Sequence, residues 1–160
     1  MAASKLREIS QAGTDAFNRH DAEGFAKTMT DDVRIQAPGA GELRGKQAVK
    51  AFYQSWIDAF PDARVDLSAL HVLDDLVVEE GVFSGTHRGV LHGSAGDLPP
   101  TGRQVSVGYM QVARFRGDLV ASFHLVFDRL ELMEQLGVVE AGEAEAPSRR
   151  PGEEAGLQPH

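Results

Sequence analysis

The sequence predicts an α+β fold: a curved antiparallel sheet forming a cone, an α+β barrel, with N-terminal helices over its open side. Three observations predict it. Helical periodicity dominates the first third of the chain, and strand alternation dominates most of the rest. Gly117-Asp118 separates two long alternating runs, as a two-residue hairpin turn does. Helices followed by a run of antiparallel strands gather on one side of the sheet. A curved sheet covered in this way encloses a pocket, and such pockets are the usual place for small ligands.

Each element follows from its own pattern. Ser4 to Arg19 reads as a helix, with Leu6, Ile9, Gly13, Ala16 and Phe17 at three- and four-residue spacing. Asp21 caps a short second helix carrying Phe25 and Met29. "DDVRIQAPG" is a short strand stopped by Pro38 and Gly39. Lys46 to Ala59 is the clearest helix. Its broad apolar stripe holds Val49, Phe52, Tyr53, Trp56, Ile57 and Phe60, and Pro61 ends it. Ala63 to Val72 alternates as a strand, and Leu76 to about His87 is the next. "RGVLHGSAGDLPPTG" is a loop dense in Gly and Pro. Arg103 to Arg116 carries Val105, Val107, Tyr109, Gln111 and Ala113 on one side. Leu119 to Phe127 is its return strand, and Asp128 to Gly137 is a short final helix. The folded domain is expected over residues 1–137. Residues 138–160, without an aromatic and rich in Glu, Ala, Pro and Gly, read as a disordered acidic tail.

Bulk composition narrows the function. A chain of 160 residues with 42% hydrophobic content supports one domain with one core. The formal net charge of −8 argues against nucleic acid and against anionic membranes as partners. No run approaches the roughly 18 apolar residues of a membrane span. The absence of cysteine excludes disulfides, thiol nucleophiles and thiolate metal sites, and fits a cytoplasmic protein. His87 and His92 stand five apart, but no third ligand lies at a spacing diagnostic of a metal, and no metal site is assigned.

Chemistry-bearing residues collect in the last hairpin. If the Gly117-Asp118 turn closes it regularly, Gln111 falls opposite His124, Tyr109 opposite Val126 and Val107 opposite Asp128. Alternation then puts Tyr109, Gln111, Ser122, His124 and Asp128 on one face. A histidine titrating near neutrality can take and return a proton, and Asp128 can orient it or act itself. Tyr109 and Gln111 can donate hydrogen bonds to a developing oxyanion. A plainer account stands beside this one. His124 can be a core histidine, and "DRLE" is a capping-box pattern in which Asp128 caps the last helix. Trp56 and Tyr53 fit either core packing or ligand contact. The opposite face carries Met110, Val112, Ala121, Phe123, Leu125 and Phe127, more apolar surface than a monomer leaves exposed, so a homodimer is expected.

Several segments together resemble the SnoaL-like polyketide cyclase family: "NRHDAEGFAKTMTDDV", "LRGKQAVKAFYQSWIDAFPDARVDL", "FSGTHRGVL…GDLPPTGRQV", "VARFRGD" and "FDRLELMEQLG". The likeness runs from about Ile9 to Val138. It implies a cone of the nuclear-transport-factor type, usually a homodimer. It also implies intramolecular aldol closure of a polyketide or β-keto ester by acid/base residues, without metal or cofactor. His87 matches the histidine of the family's "GTH", and Pro99 to Gly102 its "PPTG" loop. His87 therefore joins Trp56 and Tyr53 as an expected contact of a hydrophobic small-molecule substrate. Where relatives often carry Trp, this chain has His124, which makes His124 with Asp128 the expected catalytic pair. The fold also hosts hydroxylase-like proteins, dehydratases, isomerases, hydrolases and non-catalytic binding modules, so fold constrains the reaction only loosely.

Overall fold

A computed structural model of the chain describes residues 2–139. The tail expected over 138–160 lies, from residue 140 onward, outside the described residues. Helix α1 (Ala2–Asn18) and helix α2 (Ala22–Lys27) lead into strand β1 (Met29–Ala37), strand β2 (Gly41–Arg44) and helix α3 (Lys46–Ala59). Strands β3 (Arg64–Leu73), β4 (Leu76–Thr86), β5 (Leu91–Gly93), β6 (Gly96–Leu98), β7 (Gln104–Arg116) and β8 (Leu119–Phe127) follow, then helix α4 (Arg129–Gln135). Among the described residues no helix is long and apolar enough to cross a membrane.

Six strands form one curved sheet in the order β2-β1-β8-β7-β4-β3. Every pairing is antiparallel except β1 with β8, which is parallel. That exception is long-range: the chain returns beside its first strand only after the whole meander is built. The segment expected to be a loop after His87 contains the small hairpin β5–β6, with Leu91 opposite Leu98. Leu91 is buried and gives the hairpin its anchor in the core.

Local chemistry explains the ends of the elements. Asp21 caps α2 by accepting from the Gly24 amide at 2.9 Å. α3 stops before Pro61, and its last carbonyl region is closed by the loop after β4: the amides of Arg88 and Gly89 both donate to Ala59 O, at 3.0 and 3.1 Å. Gly89 has no alternative there, because a Cβ would run into the Asp58 carbonyl oxygen. α1 is pinned at its C-terminal end. Asn18 exchanges two hydrogen bonds with the Val65 backbone, at 2.9 and 2.8 Å, and the Tyr53 hydroxyl donates to Phe17 O at 2.7 Å. α4 docks on the start of β7 through Gln135, which bonds both the amide and the carbonyl of Ser106.

The core has two parts. Leu6, Met29, Val33, Ile35, Val49, Val77, Ala113, Phe115, Val120 and Phe123 form an aliphatic-rich cluster. Tyr53, Ile57, Phe60, Val105, Val107, Leu132 and Leu136 form the other, to which Trp56, Phe83 and Phe127 add their rings. Trp56 stacks on Phe60 at 5.9 Å and meets Phe83 and Phe127 edge-on at 5.4 and 5.8 Å. The two clusters leave space between them on the concave side of the sheet.

Candidate functional site

The concave face is built in rows, because residues of the same parity on neighbouring strands stand side by side. Across β4, β7 and β8 the first row is Val77, Ala113 and Phe123. The second is Glu79, Gln111 and Leu125, the third Gly81, Tyr109 and Phe127. Phe83 and Val107 make the fourth. Polar groups thus occupy the two middle rows, with apolar ones at either end. α1 covers this face with Ile9, Ser10, Gly13, Thr14 and Phe17, and α3 contributes Phe52, Tyr53 and Trp56. The cavity, which is partly open to the surface, measures about 150 Å³, and among the described residues no Lys, Arg or His lines it.

Glu79 is the unusual residue in this wall. The residue is 6% exposed, in a wall that is mostly apolar. Loss of hydration pushes its carboxyl up from 4.5 to about 7, with a hydrogen bond from Ser10 pulling weakly the other way. The Gln111 amide donates to its Oε2 at 3.4 Å. A carboxyl of this kind exchanges a proton near neutral pH, as a general acid or base must. Tyr109 lies one row along. Burial, and then the charges of Glu79 and Asp66, hold its phenol well above the ordinary value, so it remains an O–H donor. Its ring lies across Gly81, where a Cβ would come within 2.8 Å of both the ring and the hydroxyl. Glycine at that register position leaves the room that Tyr109 occupies.

The structure places the sequence-predicted residues as follows. Tyr109, Gln111, Trp56 and Tyr53 all line the cavity. Tyr53 presents only its ring. Its hydroxyl is committed to the carbonyls that end α1, and burial pushes it up to about 12. His124 and Asp128 do not reach the cavity, and the expected register is corrected here. Arg116 pairs with Leu119 and Phe115 with Val120, as a regular hairpin requires, but Arg114 pairs with Ser122. Ala121 is an extra residue, a β-bulge, and everything after it is inverted. Gln111 faces Leu125 rather than His124, and Tyr109 faces Phe127 rather than Val126. Phe123, Leu125 and Phe127 go inside, while His124 and Val126 are exposed on the outer face. The apolar set decides the matter, since three large side chains gain far more from burial than one histidine. Asp128 is exposed and caps α4, accepting from the Glu131 amide at 3.1 Å, in keeping with the capping pattern.

His87 is likewise corrected as a substrate contact. It is 0% exposed, packs its ring on Phe60 at 5.3 Å and lies outside the cavity wall. The Thr101 amide donates to its Nδ1 at 3.1 Å, which leaves the proton on Nε2, a buried atom without a hydrogen-bond partner among the described residues. Burial lowers its pKa and keeps it neutral. Together with the Gly102 amide donating to His87 O at 2.8 Å, this ties the "GTH" strand end to the "PPTG" turn. His92 pairs with Asp97 at 2.8 Å in the exposed small hairpin.

Glu79 is the residue that sequence reasoning missed. The signal was there. Glu79 and Glu80 are adjacent in a strand, and alternation turns one of any two consecutive residues inward. Val77 and Phe83, on the same parity as Glu79, mark that parity as the inner one.

Comparisons with known proteins agree with this architecture. The family model described as SnoaL-like polyketide cyclase matches residues 7–136. No curated protein matches the sequence at a significant level. Among solved structures, TsrD from Streptomyces laurentii is 24% identical with a TM-score of 0.76, covering 87% of this chain and 99% of its own. AclR, a proposed hydroxylase from Streptomyces galilaeus, is 22% identical with a TM-score of 0.74, covering 86% and 98%. IdmH, a proposed polyketide cyclase from Streptomyces antibioticus, is 24% identical with a TM-score of 0.69, covering 82% and 98%. At these identities the likeness shows the fold, a cone of the nuclear-transport-factor and ketosteroid-isomerase type.

Proposed function

Because the chain belongs to the SnoaL-like polyketide cyclase family, we propose that its cavity performs cofactor-free acid/base chemistry, the intramolecular aldol closure of a β-keto compound, with Glu79 as the proton carrier. The observation that carries this reading is a buried carboxyl at about 7 in the wall of an apolar cavity that, among the described residues, is lined by no cationic side chain. The ionised carboxylate takes a proton from the carbon between two carbonyls. The freed electron pair forms an enolate, which attacks another carbonyl carbon of the same molecule and makes the new C–C bond. The π pair of that carbonyl moves to its oxygen, and Glu79 returns the proton there. Tyr109 O–H and the Gln111 amide are placed to donate to the enolate oxygen, and the apolar walls strengthen such bonds. The aromatic walls fold the substrate so that its two reacting carbons meet.

Glu79→Gln keeps size and polarity and removes the titrating proton. On a cyclisable β-keto ester it is expected to lower turnover by about 10²- to 10⁴-fold, the usual worth of a positioned acid or base. His124→Ala is expected to leave turnover unchanged. Wild-type turnover in Glu79→Gln would sink the assignment.

The outer face of the sheet supports a homodimer as part of the same reading. Met110 and Val126, paired across β7 and β8, are 50% and 51% exposed, and Val82 and Val112 extend the patch. Arg34 and Arg114 flank Ser122 at one end, and Glu80 stands beside Met110 toward the other. A two-fold axis through the patch sets the arginine end of one protomer against the carboxylate end of its partner. Native mass spectrometry at micromolar concentration is expected to give a dimer, and Met110→Glu a monomer. A wild-type monomer would overturn this element.

A further inference from the structure

The volume and the layering of the cavity together bound what it can hold. It is partly open to the surface, offers about 150 Å³ of room and has a mostly apolar lining. An apolar cavity of that volume in another protein admits benzene, a single ring. Fused skeletons of three or four rings exceed that volume and would have to stand out through the opening. The space is set by side chains that are themselves packed. Trp56 is held between Phe60, Phe83 and Phe127, and Tyr53 is wedged between Phe17 at 4.9 Å and Phe25 at 5.0 Å. Widening the cavity therefore means breaking ring contacts rather than turning a free side chain.

The order of the rows adds a second constraint. Going along the strands, Val77 and Ala113 are followed by Glu79 with Gln111, then Tyr109, then Phe83 with Val107. A guest in this space has its oxygen atoms in the middle, a flat apolar group at the Trp56–Phe83 end, and a short apolar end near Ala113 and Phe123. A polar group at either tip would lose its hydration to an apolar wall with no partner in return.

We propose that the cavity selects a compact substrate of single-ring size, a β-dicarbonyl that carries a further carbonyl as the aldol acceptor, its ring against Trp56 and Phe83 and its carbonyl oxygens at the Glu79–Gln111–Tyr109 belt. This rests on the acid/base reading of the same site and adds the size and the orientation of the guest. Cyclisation here then closes or extends one small ring, and the reaction that supplies the substrate makes a short β-keto chain rather than a multi-ring skeleton.

The test is a homologous series with one head group: methyl benzoylacetate and its 2-naphthoyl and 2-anthroyl counterparts. Trp56, the chain's single tryptophan, lines the cavity and reports binding by fluorescence, with calorimetry as the check. Hydrophobic transfer alone favours the larger ligands. The expected order is the reverse, with the benzoyl ester binding at least tenfold more tightly than the anthroyl ester. Ala113→Leu, which fills the short end, is expected to weaken the benzoyl ester about tenfold. Phe127→Leu is expected to narrow the gap between benzoyl and naphthoyl esters. Affinity that rises with ring number, or an Ala113→Leu variant that binds the benzoyl ester as wild type does, would overturn the proposal. Repeating the series on Glu79→Gln separates the two readings. A size order kept in that variant, with turnover of the cyclisable β-keto ester intact, defeats the acid/base role alone, and a reversed order with that turnover lost defeats the size limit alone.

Discussion

Glu79 has a cost for folding that can be worked out and measured. In the unfolded chain its carboxyl titrates near 4.5, and in the folded chain near 7. Below pH 4.5 both states hold the proton, and the residue is neutral to stability. As the pH rises from 4.5 to 7 the unfolded chain releases the proton while the folded chain keeps it, so stability falls through that window. Above 7 both are ionised and the loss is complete. At about 1.4 kcal/mol for each tenfold change in proton affinity, the gap between 4.5 and about 7 amounts to about 3 kcal/mol. Glu79→Gln removes the ionisation and keeps the hydrogen-bonding shape. Urea unfolding of the two proteins, at one fixed concentration, is expected to show no difference at pH 4.5 and a variant more stable by about 3 kcal/mol at pH 8. In thermal unfolding that is on the order of 10 °C for a domain of this size. A stability difference that stays constant from pH 4.5 to pH 8 would refute the reasoning, since a buried titrating carboxyl cannot give a pH-independent difference.

Three further predictions follow from the same geometry. kcat/KM on a β-keto ester should rise with pH and level off above about 7, as the free Glu79 carboxyl ionises to the base; a profile flat between pH 5 and 8 contradicts that. Asp128→Ala should lower stability by about 1 kcal/mol through loss of the α4 cap, with kcat unchanged, so a large fall in kcat at full folding would restore Asp128 to the chemistry. His87, held neutral by burial, should cost stability as the pH falls below its unfolded value of 6.5, where only the unfolded chain takes up the proton. In wild type the Glu79 effect runs the other way across part of that range, so the His87 limb is best seen in Glu79→Gln, whose stability should drop between pH 6.5 and 5.

Much of the fold was legible because its period was strong. α3 and β8 have the boundaries read from sequence, Lys46–Ala59 and Leu119–Phe127, since a wide apolar stripe and a hairpin turn leave little choice. β2 and the β5–β6 hairpin were not legible. They are three or four residues long, too short to show alternation, and exist because a neighbour offers them an edge. The parallel pairing of β1 with β8 joins segments some ninety residues apart and has no local signature. The inner face of β7 was read correctly from Val105 to Ala113. β8 was read inside out, because nothing in "VASFHLVF" marks Ala121 as unpaired until the burial of Phe123, Leu125 and Phe127 is weighed against that of His124. Glu79 was legible in principle, as half of a Glu-Glu step in a strand, but it lies on β4, away from the last hairpin where the other chemistry-bearing residues collect.

The bulge at Ala121 gives the chain an unequal response to two kinds of genetic change. A substitution in β8 alters one wall position. Loss of a single codon at Ala121 would remove the bulge and leave Phe123 opposite Ala113, Leu125 opposite Gln111 and Phe127 opposite Tyr109, so both faces of the strand would keep their side chains. Loss of a codon between Phe123 and Phe127 would instead shift the residues on one side of the deletion by one position and turn large apolar groups outward. Ala121 is therefore slack in this segment, and its deletion should be far better tolerated than a one-residue deletion between Phe123 and Phe127.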